Sequence, residues 1–168
     1  MKTMRIIVVL SIFLLLGCTS SVHVSSKADT IYPPHCTIAV SCNNDDPLSI
    51  QQKLEHLLTS KGFSVVPERA AKIKANMQNE EHMTVESAKG TPPEKSKEMR
   101  SIYILRFSYE YYSAVSYRDY MFKTFSASVV DLRNGNVVAS ADFSQSGFGT
   151  KSILSVLEDL VNKLTDLS

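Results

Sequence analysis

Hydrophobic and polar positions alternate with different periods along this chain, and the changes of period mark its elements. Ile38 and Val40 share one face of a short strand over 37–41, together with Cys36 and Cys42. Asn43-Asn44-Asp45-Asp46-Pro47 then supplies a loop, with Asp46 as helix cap and Pro47 at the first helical position. A helix is predicted over 47–61, because Ile50, Leu54, Leu57 and Leu58 fall at helical spacing and Gly62 stands where a helix stops. A short strand follows over 63–66. Residues 68–81 have helical composition, with Ile73 and Met77 four apart, and 87–97 reads as a solvated loop around Gly90, Pro92 and Pro93.

From Ser101 the period becomes two. Tyr103, Leu105, Phe107, Tyr109 and Tyr111 occupy one face of a strand, and Arg106, Ser108 and Glu110 the other. Two further β-rich runs, 121–132 and 137–143, flank Arg133-Asn134-Gly135-Asn136. Asn-Gly in that setting predicts a two-residue hairpin turn of type I′, since both central residues need positive φ. Such a turn pairs Leu132 with Val137 and Val130 with Ala139, and places these four with Ala141 and Phe143 on the core face. A last helix is predicted from about Thr150, with Ile153, Val156, Leu157, Leu160, Val161, Leu164 and Leu167 as a wide apolar stripe. The fold class is therefore α+β: a mixed sheet of about four to five strands, helices packed on one side, and a C-terminal amphipathic helix.

A length of 168 residues suits one domain, and 18 Lys+Arg against 17 Asp+Glu give a formal charge of +1. That balance supplies no field to draw the protein to a phosphate backbone, so nucleic acid is not an expected partner.

The N-terminus does not belong to the fold. Lys2 and Arg5 precede residues 6–16, which are apolar except for Ser11. This run has the length of a signal-peptide core and falls short of the roughly 20 residues that span a bilayer. It ends in Leu15-Leu16-Gly17-Cys18, which resembles the lipobox of bacterial lipoproteins. The resemblance implies cleavage before Cys18, acylation of Cys18, and, with Thr19 rather than Asp after it, the outer membrane with the domain facing the periplasm. Leu16 is bulkier than the usual occupant of its place. The reading divides the chain into a signal peptide over 1–17, an acylated Cys18 with a flexible tether over 18–35, and a single domain over 36–168. Loss of Lys2 and Arg5 leaves 16 basic residues against 17 acidic, so the mature chain is slightly acidic. The tether is rich in Ser and Pro, and the seventeen residues between Cys18 and Cys36 reach at most about 55–60 Å.

In an oxidising periplasm Cys36 and Cys42 would ordinarily be read as a disulfide. A strand between them places their Cα atoms roughly 20 Å apart, far beyond disulfide reach. Either the strand or the disulfide gives way; the strand with two free thiols is the expectation.

No catalytic constellation stands out. His23, His35, His56 and His82 are isolated from one another, which gives neither metal spacing nor a base beside a nucleophile. Asp45-Asp46 reads as a helix cap, and Gly147-Phe148-Gly149 as a turn before the last helix. The expectation is a protein that is not an enzyme, with no metal and no cofactor beyond the lipid on Cys18. Tyrosine is the exception to this plain picture: Tyr109, Tyr111, Tyr112, Tyr117 and Tyr120 lie within twelve residues, with Arg118 among them. Tyr and Arg are favoured as interface anchors, so Tyr111, Tyr112, Tyr117, Arg118 and Tyr120 are the candidate partner-binding residues.

Several short motifs carry a further resemblance. They are Thr37-Ile38-Ala39-Val40, Lys61-Gly62-Phe63-Ser64-Val65-Val66 with Pro67-Glu68-Arg69, Ile102-Tyr103-Ile104-Leu105, and the stretch from Val129 through Asp131 and Gly135 to Val138. Together these resemble the periplasmic domain shared by outer-membrane lipoproteins of curli secretion (the CsgG type) and of penicillin-binding-protein activation, and, in fold, the amino-terminal domain of TolB. The curli channel builds its pore from long amphipathic hairpins, whereas residues 113–120 here are short, polar and aromatic. The resemblance thus implies an accessory or adaptor lipoprotein of a cell-envelope machine for secretion, conjugation, polysaccharide export or wall synthesis. Its partners would be the membrane, through the lipid, and an envelope protein or further copies of itself. A ring-forming structural lipoprotein and a small-ligand carrier are the alternatives.

Overall fold

A computed structural model describes residues 21–26, 36–86, 102–113, 119–145 and 151–166. Along the chain they form β1 (His23–Ser26), β2 (Thr37–Cys42), α1 (Ile50–Ser60), β3 (Ser64–Val65), α2 (Glu68–Glu86), β4 (Ile102–Ser113), β5 (Tyr120–Asp131), β6 (Val137–Ser144) and α3 (Ile153–Thr165). The strands make one mixed sheet in the order β1-β6-β5-β4-β2-β3. Its β1-β6-β5-β4 part is antiparallel, and β2 lies parallel to both β4 and β3.

The sheet has six strands rather than four to five. The additional one, β1, lies inside the stretch read as tether, where His23-Val24-Ser25-Ser26 is too polar to signal a strand. It is held as an edge by pairing from His23↔Asp142 to Ser26↔Ala139. The residue before it, Val22, is fully buried in the main core.

The helices also do not share one side. Ile38, Val40, Leu105, Phe107, Phe125 and Ala141 face a large core completed by α1 through Ile50, Leu54 and Leu58, and by the whole predicted stripe of α3 from Ile153 to Leu164. The opposite pleat of the same strands, Ala39, Ile102 and Ile104, meets Ala71 and Ala75 of α2, with Val66, Val130 and Leu132 packed around them. Successive strand residues point to opposite faces, so a strand buried on both sides requires cover on both. The apolar character of Ile102 and Ile104 is that signal. Ile73 and Met77, the apolar pair four apart on α2, are 52% and 60% exposed. Small side chains make the contact instead, since alanine lets a helix lie close to the sheet.

The hairpin between β5 and β6 differs in turn and register. Asp131 N–H donates to Asn136 O at 2.9 Å and Gly135 N–H donates to Asp131 O at 2.8 Å, which leaves four residues, 132–135, in the loop. Only Gly135 has positive φ there, at 73°, so Asn-Gly does not form the I′ turn. Val130 pairs with Val137, Val129 with Ala139, and a bulge separates the two pairs. The consequence is that Val129 replaces Val130 on the main core face, Val130 and Leu132 turn to the α2 side, and Val137 is exposed.

Cys36 and Cys42 are free and bracket β2 on the main core face, as the strand reading requires. Among the described residues no helix is long and apolar enough to cross a membrane.

Candidate interaction surface

The polar centre of this surface starts at Asp46. The regular helix begins at Ile50, not at Pro47, and Ser49 before it adopts a left-handed φ of 52° without capping the helix by its side chain. Asp46 does that work from four residues upstream: Ile50 N–H and Gln51 N–H each donate to its carboxylate at 2.8 Å. The Tyr109 hydroxyl donates to the same carboxylate at 2.7 Å and accepts from Leu48 N–H at 3.4 Å. Partial burial works against ionisation of Asp46, but the bonds from Gln51, Tyr109 and Ile50, with Lys53 nearby, outweigh it and hold the carboxyl below its ordinary range. Burial, followed by donation to Asp46, pushes the Tyr109 hydroxyl well above its ordinary value. Tyr109 is thus a structural strut between β4 and the start of α1.

Beyond Tyr109 the aromatic run leaves the core. Tyr109 packs on Phe107, Phe122 and Tyr111, with ring centroids 6.2, 5.4 and 6.0 Å away. Tyr111 meets Tyr120 edge to face at 5.5 Å, and the Tyr112 hydroxyl lies 3.7 Å from Met121 Sδ. A bulge between Glu110 and Tyr111 marks where the strand passes out of the packed region. Tyr111, Tyr112 and Tyr120 are 41%, 38% and 50% exposed, so these three candidate residues come together at the outer end of the β4–β5 pair. The other two candidates, Tyr117 and Arg118, lie outside the described residues, as do Leu15, Leu16, Gly17 and Cys18.

Next to this aromatic tip an open groove of about 820 Å³ runs between the start of α1 and the start of α3, lined by Leu48, Lys53, Tyr120, Met121, Ile153 and Leu154 among others. Leu154 is half exposed on its rim. Sequence reasoning missed this groove because its lining comes from four separate stretches; the one sequence signal for it is Leu154, an apolar residue outside the α3 stripe. Among the described residues no cluster of three or more His, Cys, Asp or Glu could hold a metal ion. What the surface offers is aromatic and aliphatic area with hydroxyl groups at its edge, a chemistry suited to contact.

No protein-family model matches the chain, and no curated protein sequence matches it. Among solved structures, two PelC dodecamers from Paraburkholderia phytofirmans are similar at 18% and 17% identity, over 89% of this chain and 98% and 97% of theirs, with TM-scores of 0.48 and 0.47. A lipoprotein from Neisseria meningitidis is similar at 16% identity over 78% of this chain and 96% of its own, with a TM-score of 0.31. Likenesses at this level assign neither family nor function.

Proposed function

We propose that the protein is an outer-membrane lipoprotein, anchored through acylated Cys18 with its domain in the periplasm, that serves as an accessory or assembly subunit of a cell-envelope machine and works by contact rather than catalysis. The observation that carries this reading is the apolar run over 6–16 ending in Leu15-Leu16-Gly17-Cys18 behind two basic residues. The resemblance of the short motifs to curli-secretion, wall-synthesis-activator and TolB-type domains supports the envelope role. The exposed Tyr111, Tyr112 and Tyr120 supply aromatic area for contact outside the domain, and Tyr117 and Arg118 belong to the same stretch of chain.

Metabolic labelling with palmitate tests the anchor: wild type incorporates label and sediments with outer membrane, and Cys18→Ser does neither. Native-mass measurement of the acylated protein, extracted with its envelope partners, tests the role. A co-purifying envelope protein supports the accessory reading, and a homogeneous multimer of this chain alone replaces it with the ring-forming one.

A further inference from the structure

The described chain opens almost at the acylation site. Val22 is fully buried, its N–H donates to the Asp159 carboxylate at 3.4 Å, and the Lys163 ammonium donates to its carbonyl oxygen. His23 then enters the sheet against Asp142. The link between Cys18 and the folded domain is therefore residues 19–21, in place of the seventeen-residue tether expected between Cys18 and Cys36.

The register shows which end of the domain this short link holds. His23 pairs with Asp142, Asp142 with Ser126, and Ser126 with Ser108, so these four residues form one row across the sheet. Running back from His23 towards Cys18, the chain leaves β1 in the direction in which β4 runs on from Ser108 to Ser113. Cys18 lies five residues before His23, a reach of at most about 18 Å. Ser113 lies five residues beyond Ser108, an advance of about 17 Å at strand rise. The end of β4 thus projects as far from the row as the fully extended link does, and farther than any less extended one.

We propose that Tyr111, Tyr112 and Tyr120 rest in the headgroup region of the bilayer that holds Cys18. A tyrosine ring with an apolar body and a hydroxyl at its edge is suited to that layer. Leu48 and Leu154, in the groove that Tyr120 also lines, extend the apolar area at this end of the domain. This inference rests on acylation of Cys18, and it assigns the tyrosines to lipid instead of to a protein partner.

The chain contains no tryptophan, so Tyr112→Trp and Tyr120→Trp each create a single reporter in the full, acylated protein. Val137→Trp places one at the opposite, exposed end of the sheet. Each is reconstituted in phosphatidylethanolamine and phosphatidylglycerol vesicles containing lipids brominated near the headgroup, after mass spectrometry of the preparation. Quenched, blue-shifted emission from positions 112 and 120, with unquenched emission from 137, is the expected result. Unquenched emission at 112 and 120 in acylated protein overturns the inference and leaves the anchor standing, as does equal quenching at all three. A preparation without acyl chains on Cys18 removes both. The two tip positions guard against one variant failing to fold, and the thermal transition of each is compared with wild type. Photocrosslinking of either position to an envelope protein in cells, with no quenching in vesicles, gives the tip to a protein partner.

Discussion

Two carboxylates decide local structure in this domain. Asp46 accepts from two amides of the α1 start and from Tyr109, so Asp46→Ala removes a helix cap and a strut together, at a cost of about 1–2 kcal/mol. Because its folded pKa is lowered, the contribution is present above the unfolded carboxyl value and is lost as pH falls through the folded one. Thermal melts should show wild type losing stability in acid below about pH 4, with a shallower loss in Asp46→Asn. Asp131 is buried, and its carboxylate takes Arg133 Nη2 at 2.6 Å, Arg133 Nε at 3.0 Å and Arg133 N–H at 2.9 Å. Arg133→Ala leaves that carboxylate without its guanidinium, and chemical denaturation should register a loss of about 1–3 kcal/mol. The thiols differ as well. Burial raises Cys36 to about 11, while Cys42 is only partly covered. Iodoacetamide on native protein should therefore alkylate Cys42 well before Cys36, and equal rates would contradict the described strand.

At the scale of elements, α2 packs through its smallest side chains. Ala71 and Ala75 carry its packing while Ile73 and Met77 face solvent. Ala75→Leu should cost about 1–3 kcal/mol by overpacking, and Ile73→Ser should change the denaturation midpoint little. Helical periodicity is legible where the stripe is made of large residues, as in α3, whose buried set was read correctly from Ile153 to Leu164. It misleads where alanine makes the contact, because alanine is compatible with both a buried and an exposed face. The β4 alternation was equally legible, from Tyr103 to Tyr109. The hairpin register was not, since it depends on a bulge at Val129/Val130 and on the backbone bonds of Asp131, neither of which Asn134-Gly135 reveals. The exposed tyrosines could be found from their density in sequence, but their exposure depends on where the bulge ends the packed part of β4.

For the whole molecule, the decisive finding is β1. A polar strand too short to recognise in sequence brings the folded domain to within three residues of Cys18, and under the proposed acylation of that cysteine it sets which end of the sheet meets the membrane. Lys163→Ala and Asp159→Ala remove the α3 groups that hold Val22, and in acylated protein they should increase hydrogen exchange at β1 before any other strand. The edge strand was not legible because it is polar and arises from pairing between residues 113 to 119 apart. The most direct test of the account is the intact mass and N-terminal peptide of the protein purified from outer membranes. The expected species is a chain that begins at Cys18 and carries acyl chains there. An uncleaved chain, or one that begins elsewhere with Cys18 unmodified or absent, would contradict it.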